Sequence, residues 1–173
     1  MGSKRSTDLS CRSAAFRARQ RSWARFTIAS ARHRAYIDRM SRLRRPFLYD
    51  RYIFVTVDLL RSRGKLEERD FGRLAIALTR MWQRHRFRLT ARVFLPDHWH
   101  AIIYPPHPVS IAQAMSAVKV SSMITINHGR QEKGELWQER FFDHALRTVK
   151  DYWETVEYIP LNPVRRSLVK RPE

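Results

Sequence analysis

Residues 87–104, FRLTARVFLPDHWHAIIY, fix the centre of the fold. Phe87, Leu89, Ala91, Val93 and Leu95 recur at every second position, the spacing of one face of a strand. A Pro96–Asp97 turn signal follows, and HWHAIIY resumes at once over 98–104, so the two segments predict an antiparallel hairpin. The rest of the chain supplies what such a hairpin must pack against.

Before it, RYIFVTVDLL (51–60) is β-branched and aromatic and reads as a strand. LEERDFGRLAIALTRMWQRHR (66–86) then places Phe71, Leu74, Leu78, Met81 and Trp82 on one helical face, with Glu67, Glu68 and Asp70 where they complement a helix dipole. After the hairpin, PPHP breaks the strand. SIAQAMSAVKVSSMITINHG (110–129) predicts a second helix, with Ser110 as cap, Ile111, Met115, Val118 and Ile126 on its apolar face, and a glycine stop. ELWQERFFDHALR (135–147) reads as a fourth extended segment, and TVKDYWETVEYIPLNPVRRSLV (148–169) as a helix from a Thr148 cap at least to Tyr158. The order strand, helix, strand, strand, helix, strand, helix predicts an α+β fold. It is the ferredoxin-like split βαβ arrangement, a four-stranded antiparallel sheet with helices on one face, plus an appended C-terminal helix.

The 173 residues suit one globular domain, but a formal net charge of +18 needs a polyanion to explain it. Residues 1–45 hold 13 Lys/Arg against 2 acids, so much of the excess sits in an Arg/Ser/Ala-rich N-terminal arm, read as residues 1–40 with the domain at 41–173. Met40, where the character changes, is a conceivable alternative start. The single cysteine, Cys11, forms no internal disulfide and suits a reducing compartment. With no apolar run near the ~20 residues of a membrane span and no apolar stretch after the basic N-terminus, the cytoplasm is the expected location.

His98 and His100 are two apart in a strand, so both imidazoles face one side while Trp99 faces the other. Such a pair fits two ligands of one divalent ion or two buried imidazoles satisfied by neighbouring groups. Tyr158 and Asn162 are four apart and share a helical face. A phenol, with a pKa of about 10, is a poor nucleophile at neutral pH but can attack a phosphodiester if a nearby metal polarises the phosphate and offsets its charge. Asn162 would add an oxygen ligand; otherwise Tyr158 is simply a core residue with a satisfied hydroxyl.

FLPDHWHAII (94–103), LWQERFFDHALR (136–147) and VEYIPLNPVRRSLV (156–169) together resemble the HUH single-tyrosine transposases, and among them the REP-associated tyrosine transposases, over about residues 41–173. The resemblance implies that His98 and His100 bind Mg²⁺ or Mn²⁺ with Asn162 as third protein ligand. It implies that Tyr158 attacks single-stranded DNA to leave a 5′-phosphotyrosine and a free 3′-OH, and that the substrate is palindromic DNA folded into hairpins. It also favours a monomer slightly over a homodimer, associated with the nucleoid when DNA-bound. Arg42, Arg44, Arg45, Lys119, Arg140, Arg147, Lys150, Arg165 and Arg166 are then candidate DNA contacts. The alternative is a hairpin-binding protein of the same fold without catalysis, or a structural zinc protein with no DNA role.

The chain departs from the family pattern at Pro160, which removes a helical hydrogen bond, crowds the carbonyl of Val156 and costs ~3 kcal/mol inside a helix, so a kink or early end is expected there. Ser167 stands where relatives commonly have glycine, and the sequence stops at KRPE, as a shortened copy would. Asp97 is read as a turn residue directed away from His98, and His144 as an alternative ligand, a DNA contact or a structural histidine. Trp137 and Gln138 are base contacts or, for the aromatic, core.

Overall fold

The computed structural model describes residues 50–171, all within one compact unit, Arg45–Glu173. The basic arm and Arg42, Arg44 and Arg45 lie outside the described residues. The elements run β1 (Ile53–Asp58), α1 (Glu68–His85), β2 (Arg88–Phe94), β3 (His98–Tyr104), α2 (Ile111–Arg130), β4 (Phe142–Ala145) and α3 (Val149–Arg165). The strands form one antiparallel sheet in the order β2-β3-β1-β4. Each split βαβ unit spans one intervening strand, as the ferredoxin-like order requires.

Residues opposite one another in a ladder share a face. The pairs Ile53↔Ile103, Val55↔Ala101 and Val57↔Trp99 therefore line one side of the sheet. They are fully buried and pack with Leu74 and Leu78 of α1 and Met115, Val118 and Ile126 of α2. Burial of each large apolar side chain contributes roughly 1.5–3 kcal/mol, so this layer is the principal core. The other face carries Phe54↔Ile102, Thr56↔His100 and Asp58↔His98, and α3 lies over β2 and β3 there. β3 is thus covered on both sides, and its residues are buried at every position from His98 to Ile103.

The expected single apolar face of β2 is not what forms. The ladder to β3 shifts between Leu89 and Ala91, so Leu89 opposes Ile103 on the core side while Ala91 and Val93 oppose Ile102 and His100 on the other. One extra residue in a strand exchanges every subsequent side chain between faces. Trp82, expected on the buried face of α1, is 45% exposed. The fourth extended segment contracts to Phe142–Ala145, preceded by a single bridge between Leu59 and Trp137.

Both helices after the hairpin open with the predicted caps. Ser110 Oγ accepts from the Gln113 amide at 3.2 Å, and Thr148 Oγ1 from the Asp151 amide at 3.0 Å. These bonds satisfy amides that a helix start leaves without partners. α1 and α2 are joined by Asp70, which is fully buried. It accepts from Arg130 at 2.6 Å, Arg73 at 3.0 Å and the Glu67 amide at 2.9 Å. Burial works to raise its pKa, but hydrogen bonds from Arg130 and Glu67 and the charge of Arg130 outweigh it and hold the carboxyl below 3.8. Among the described residues no helix is long and apolar enough to cross a membrane.

Candidate metal centre and nucleophile

The histidines sit where the central strand is covered by α3, so His98 and His100 are only 5% and 6% exposed. Their Nε2 atoms face one another at 3.1 Å. Each Nδ1 is occupied: His98 Nδ1 lies 2.7 Å from Asp97 Oδ1, and His100 Nδ1 lies 2.8 Å from Thr56 Oγ1. An ionised carboxylate only accepts, so His98 carries its proton on Nδ1 and presents a bare Nε2. Two neutral imidazoles then meet without repulsion in one of two ways. Either His100 donates its Nε2–H to His98, with the Thr56 hydroxyl donating to Nδ1, or His100 donates from Nδ1 to Thr56 and a cation lies between two Nε2 lone pairs.

The donor set fits the second state. Two nitrogens bound side by side to one ion at about 2.1 Å stand about 3 Å apart. Metal-bound histidines also generally donate the other ring N–H to an oxygen, and Asp97 and Thr56 are placed to accept such bonds. Burial holds His100 down to about 3, with the positive charge of a protonated His98 and of Arg166 acting in the same direction. His98 is lowered mainly by burial, against the pull of Asp97. Both rings are therefore neutral, the form that ligates a metal. Among the described residues no group of three His, Cys, Asp or Glu side chains is arranged to hold an ion. A third protein ligand would be an amide oxygen, and Asn162, 4% exposed on α3, is the residue suited to it.

Helix α3 continues through Pro160 and Pro163 to Arg165 instead of ending early. The prolines remove two intrahelical donors, but Ile159 and Asn162, on the buried side, stay anchored. Tyr158 consequently lies on the histidine side, its ring centroid 6.0 Å from that of His100. Phe54 stacks on His100 at 5.2 Å and meets Tyr158 edge-on at 6.2 Å. The Arg165 guanidinium carbon stands 5.4 Å from the Tyr158 ring centre, and Arg166 donates to both carboxylate oxygens of Asp97 at 3.0 Å.

The structure thus gathers His98, His100, Tyr158, Asn162, Arg165 and Arg166 on one side of the sheet. Lys119 lies apart on α2, its ammonium donating to the carbonyls of Gln138 and Glu139 at 2.7 Å. Arg140 is exposed before β4, while Arg147 and Lys150 are exposed at the far end of α3 from Tyr158. His144 is exposed on β4, opposite Phe54 and therefore on the histidine face, one strand beyond β1. Trp137 is core, with its indole N–H on Ser122 at 2.9 Å, and Gln138 bonds Leu59 O.

Asp97 corrects the sequence reading. Strand alternation does not extend into the tight turn, where the Leu95 amide bonds His98 O at 2.9 Å, and the Asp97 carboxylate turns back onto the neighbouring imidazole. Thr56 and Phe54 were not singled out in the sequence. Their signal was the alternation of β1, which puts both on the non-core face once β1 is placed beside β3.

Residues 41–160 match the family described as "Transposase IS200 like". A REP-associated tyrosine transposase of Escherichia coli strain K12 is 32% identical over 133 residues, 76% of this chain and 78% of that protein. A solved structure of a REP-associated tyrosine transposase bound to a REP hairpin is 32% identical, with a TM-score of 0.65, and covers 76% of this chain and 77% of its own. A structure from Deinococcus radiodurans, 15% identical with a TM-score of 0.50, covers 68% of this chain and 95% of its own and is alike in fold.

Proposed function

Because the chain belongs to the IS200-like transposase family, we propose that it is a metal-dependent, single-strand-specific DNA transposase that binds hairpin DNA and cleaves it through Tyr158. The observation that carries this reading is the convergence of two Nε2 atoms at 3.1 Å, each Nδ1 already held by an oxygen, beside a tyrosine on the covering helix. His98, His100 and Asn162 would hold Mg²⁺ or Mn²⁺, which when bound polarises the scissile phosphodiester and offsets its charge.

The chain's own residues do the rest. The Tyr158 phenol oxygen attacks phosphorus, its proton passing to solvent, and the 3′-oxygen leaves protonated as a free 3′-OH. The new bond is a 5′-phosphotyrosine. Attack by another 3′-OH restores a DNA phosphodiester and returns the proton to the phenol, so strands rejoin without ATP. Phe54 limits the positions open to both the Tyr158 and His100 rings, and Arg165 places a positive charge beside the phenol where phosphate must approach. The hairpin assignment draws on the solved relative, described as bound to a REP hairpin, and on the net charge of +18, which suits phosphate contacts.

Labelled single-stranded hairpin DNA from beside the gene, incubated with the full chain and Mn²⁺ or EDTA, tests this on a denaturing gel. A metal-dependent covalent band, absent in Tyr158→Phe and His98→Ala, is the expected result. Retardation on a native gel with no covalent band under any metal would instead make the chain a hairpin-binding protein on an enzyme's scaffold.

A further inference from the structure

The two ends of the site are built on segments far apart in sequence, and one exposed ion pair joins them. Asp97, in the β2–β3 turn, bonds His98 Nδ1 at 2.7 Å and receives Arg166 on both oxygens at 3.0 Å. Arg166 caps α3, the helix that carries Tyr158 and Asn162. We propose that Asp97 and Arg166 are positioning residues: Asp97 fixes the tautomer of His98, and Arg166, through Asp97, locks the C-terminal half of α3 onto the ligand-bearing strand. This role rests on the assignment of Tyr158 and the histidines above.

Three observations support the role. First, Asp97 and Arg166 side chains are 54% and 46% exposed. An ion pair so exposed contributes little to folding, so its value lies in geometry. Second, Pro160 and Pro163 deprive Val156 and Ile159 carbonyls of their intrahelical donors. The segment bearing Asn162 is therefore less restrained from within and gains most from an external tie. Third, Arg166 already has its backbone amide on Asn162 O at 3.1 Å. The pair with Asp97 therefore attaches at the same hydrogen-bonded turn that carries Asn162.

The pair also has a directional logic. The carboxylate that draws the His98 proton onto Nδ1 is the same one that holds Arg166, so the correct tautomer and the docked helix share one anchor. Losing Asp97 should disturb both, and losing Arg166 only the second.

The test uses the full chain and the variants Asp97→Asn, Arg166→Ala and Arg166→Lys, with four readouts. In Asp97→Asn the amide can donate to Nδ1, so nitrogen NMR of the metal-free protein should show His98 moving towards the Nε2–H tautomer. Mn²⁺ affinity measured without DNA should fall about 10- to 100-fold. Arg166→Ala should leave Mn²⁺ affinity within about twofold of wild type while hydrogen exchange at Leu161, Asn162 and Val164 rises by about two- to fivefold. It should also slow covalent adduct formation at saturating DNA and Mn²⁺, with partial recovery in Arg166→Lys. A phosphate contact would behave differently, lowering the log–log salt slope of DNA binding by about 1. A lowered slope with unchanged exchange in Arg166→Ala overturns the tie. Unchanged tautomer and Mn²⁺ affinity in Asp97→Asn overturn the first role. If wild type forms no adduct, the proposed catalysis fails, and the tautomer, Mn²⁺ and exchange measurements still decide the positioning role.

Discussion

Thr56→Val removes the hydroxyl that lies 2.8 Å from His100 Nδ1 while keeping the branched shape favoured in a strand. Two effects follow, separable by adding metal. Without metal, the Nδ1 of a ring only 6% exposed loses its partner in a place water reaches poorly, at a cost of about 1–3 kcal/mol. With Mn²⁺, His100 can no longer donate from Nδ1 to an oxygen, and loss of such an orienting partner weakens binding by about 10- to 100-fold. At a free Mn²⁺ concentration 100 times the wild-type Kd, wild type gains about 2.7 kcal/mol of stability, and a tenfold weaker variant about 1.4. Chemical denaturation with and without Mn²⁺ reads both quantities, and calorimetric titration gives Kd directly. Thr56→Ser, which retains a hydroxyl, should stay close to wild type in both. Mn²⁺ binding by Thr56→Val within twofold of wild type would refute the argument that the Thr56 hydroxyl sets the ligating tautomer.

Asp70→Ala leaves Arg130 buried beside the carbonyls of Gly64 and Lys65 without its carboxylate; removing one partner of a buried pair costs 3–5 kcal/mol, and these carbonyls put the expected loss near ~3, read by urea denaturation. Because the folded Asp70 pKa lies below 3.8, its carboxylate contributes fully above about that pH. The contribution is lost as pH falls through the folded value, so Asp70→Asn should flatten the acid limb of stability against pH measured by thermal melts. A Cβ added at Gly129 would fall on the Arg73 guanidinium, forcing Arg73 off Asp70. Gly129→Ala should therefore be neutral or destabilising by about 1 kcal/mol in wild type, yet stabilising by up to about 1 kcal/mol in an Arg73→Ala background, where only the helical preference for alanine remains. The same sign in both backgrounds would show that the contact with Arg73 is unimportant.

The features legible in the sequence are those governed by local period and capping. The order of elements, the Ser110 and Thr148 caps and the buried positions Ile111, Met115, Val118 and Ile126 all formed as the spacing indicates. Alternation in β3 likewise put His98 and His100 on one face and Trp99 in the core. What stayed hidden depends on register and on distant chain segments. The bulge between Leu89 and Ala91 has no signature in the residue types, yet it moves Ala91 and Val93 to the histidine side, where the helix bearing Tyr158 covers the strand. Thr56 acquires meaning only from a pairing across 44 residues, and Asp97 from the fold of a tight turn onto its neighbour and from a partner 69 residues away. Proline in α3 shows the opposite failure. Its local cost is real, but Ile159 and Asn162 are buried against the sheet, and that burial holds a turn which helix propensity alone would release. Helix α3 is therefore held chiefly by its docked face, the exposed pair with Asp97 adding little stability. Its sequence specifies a helix that is well placed only while it is docked.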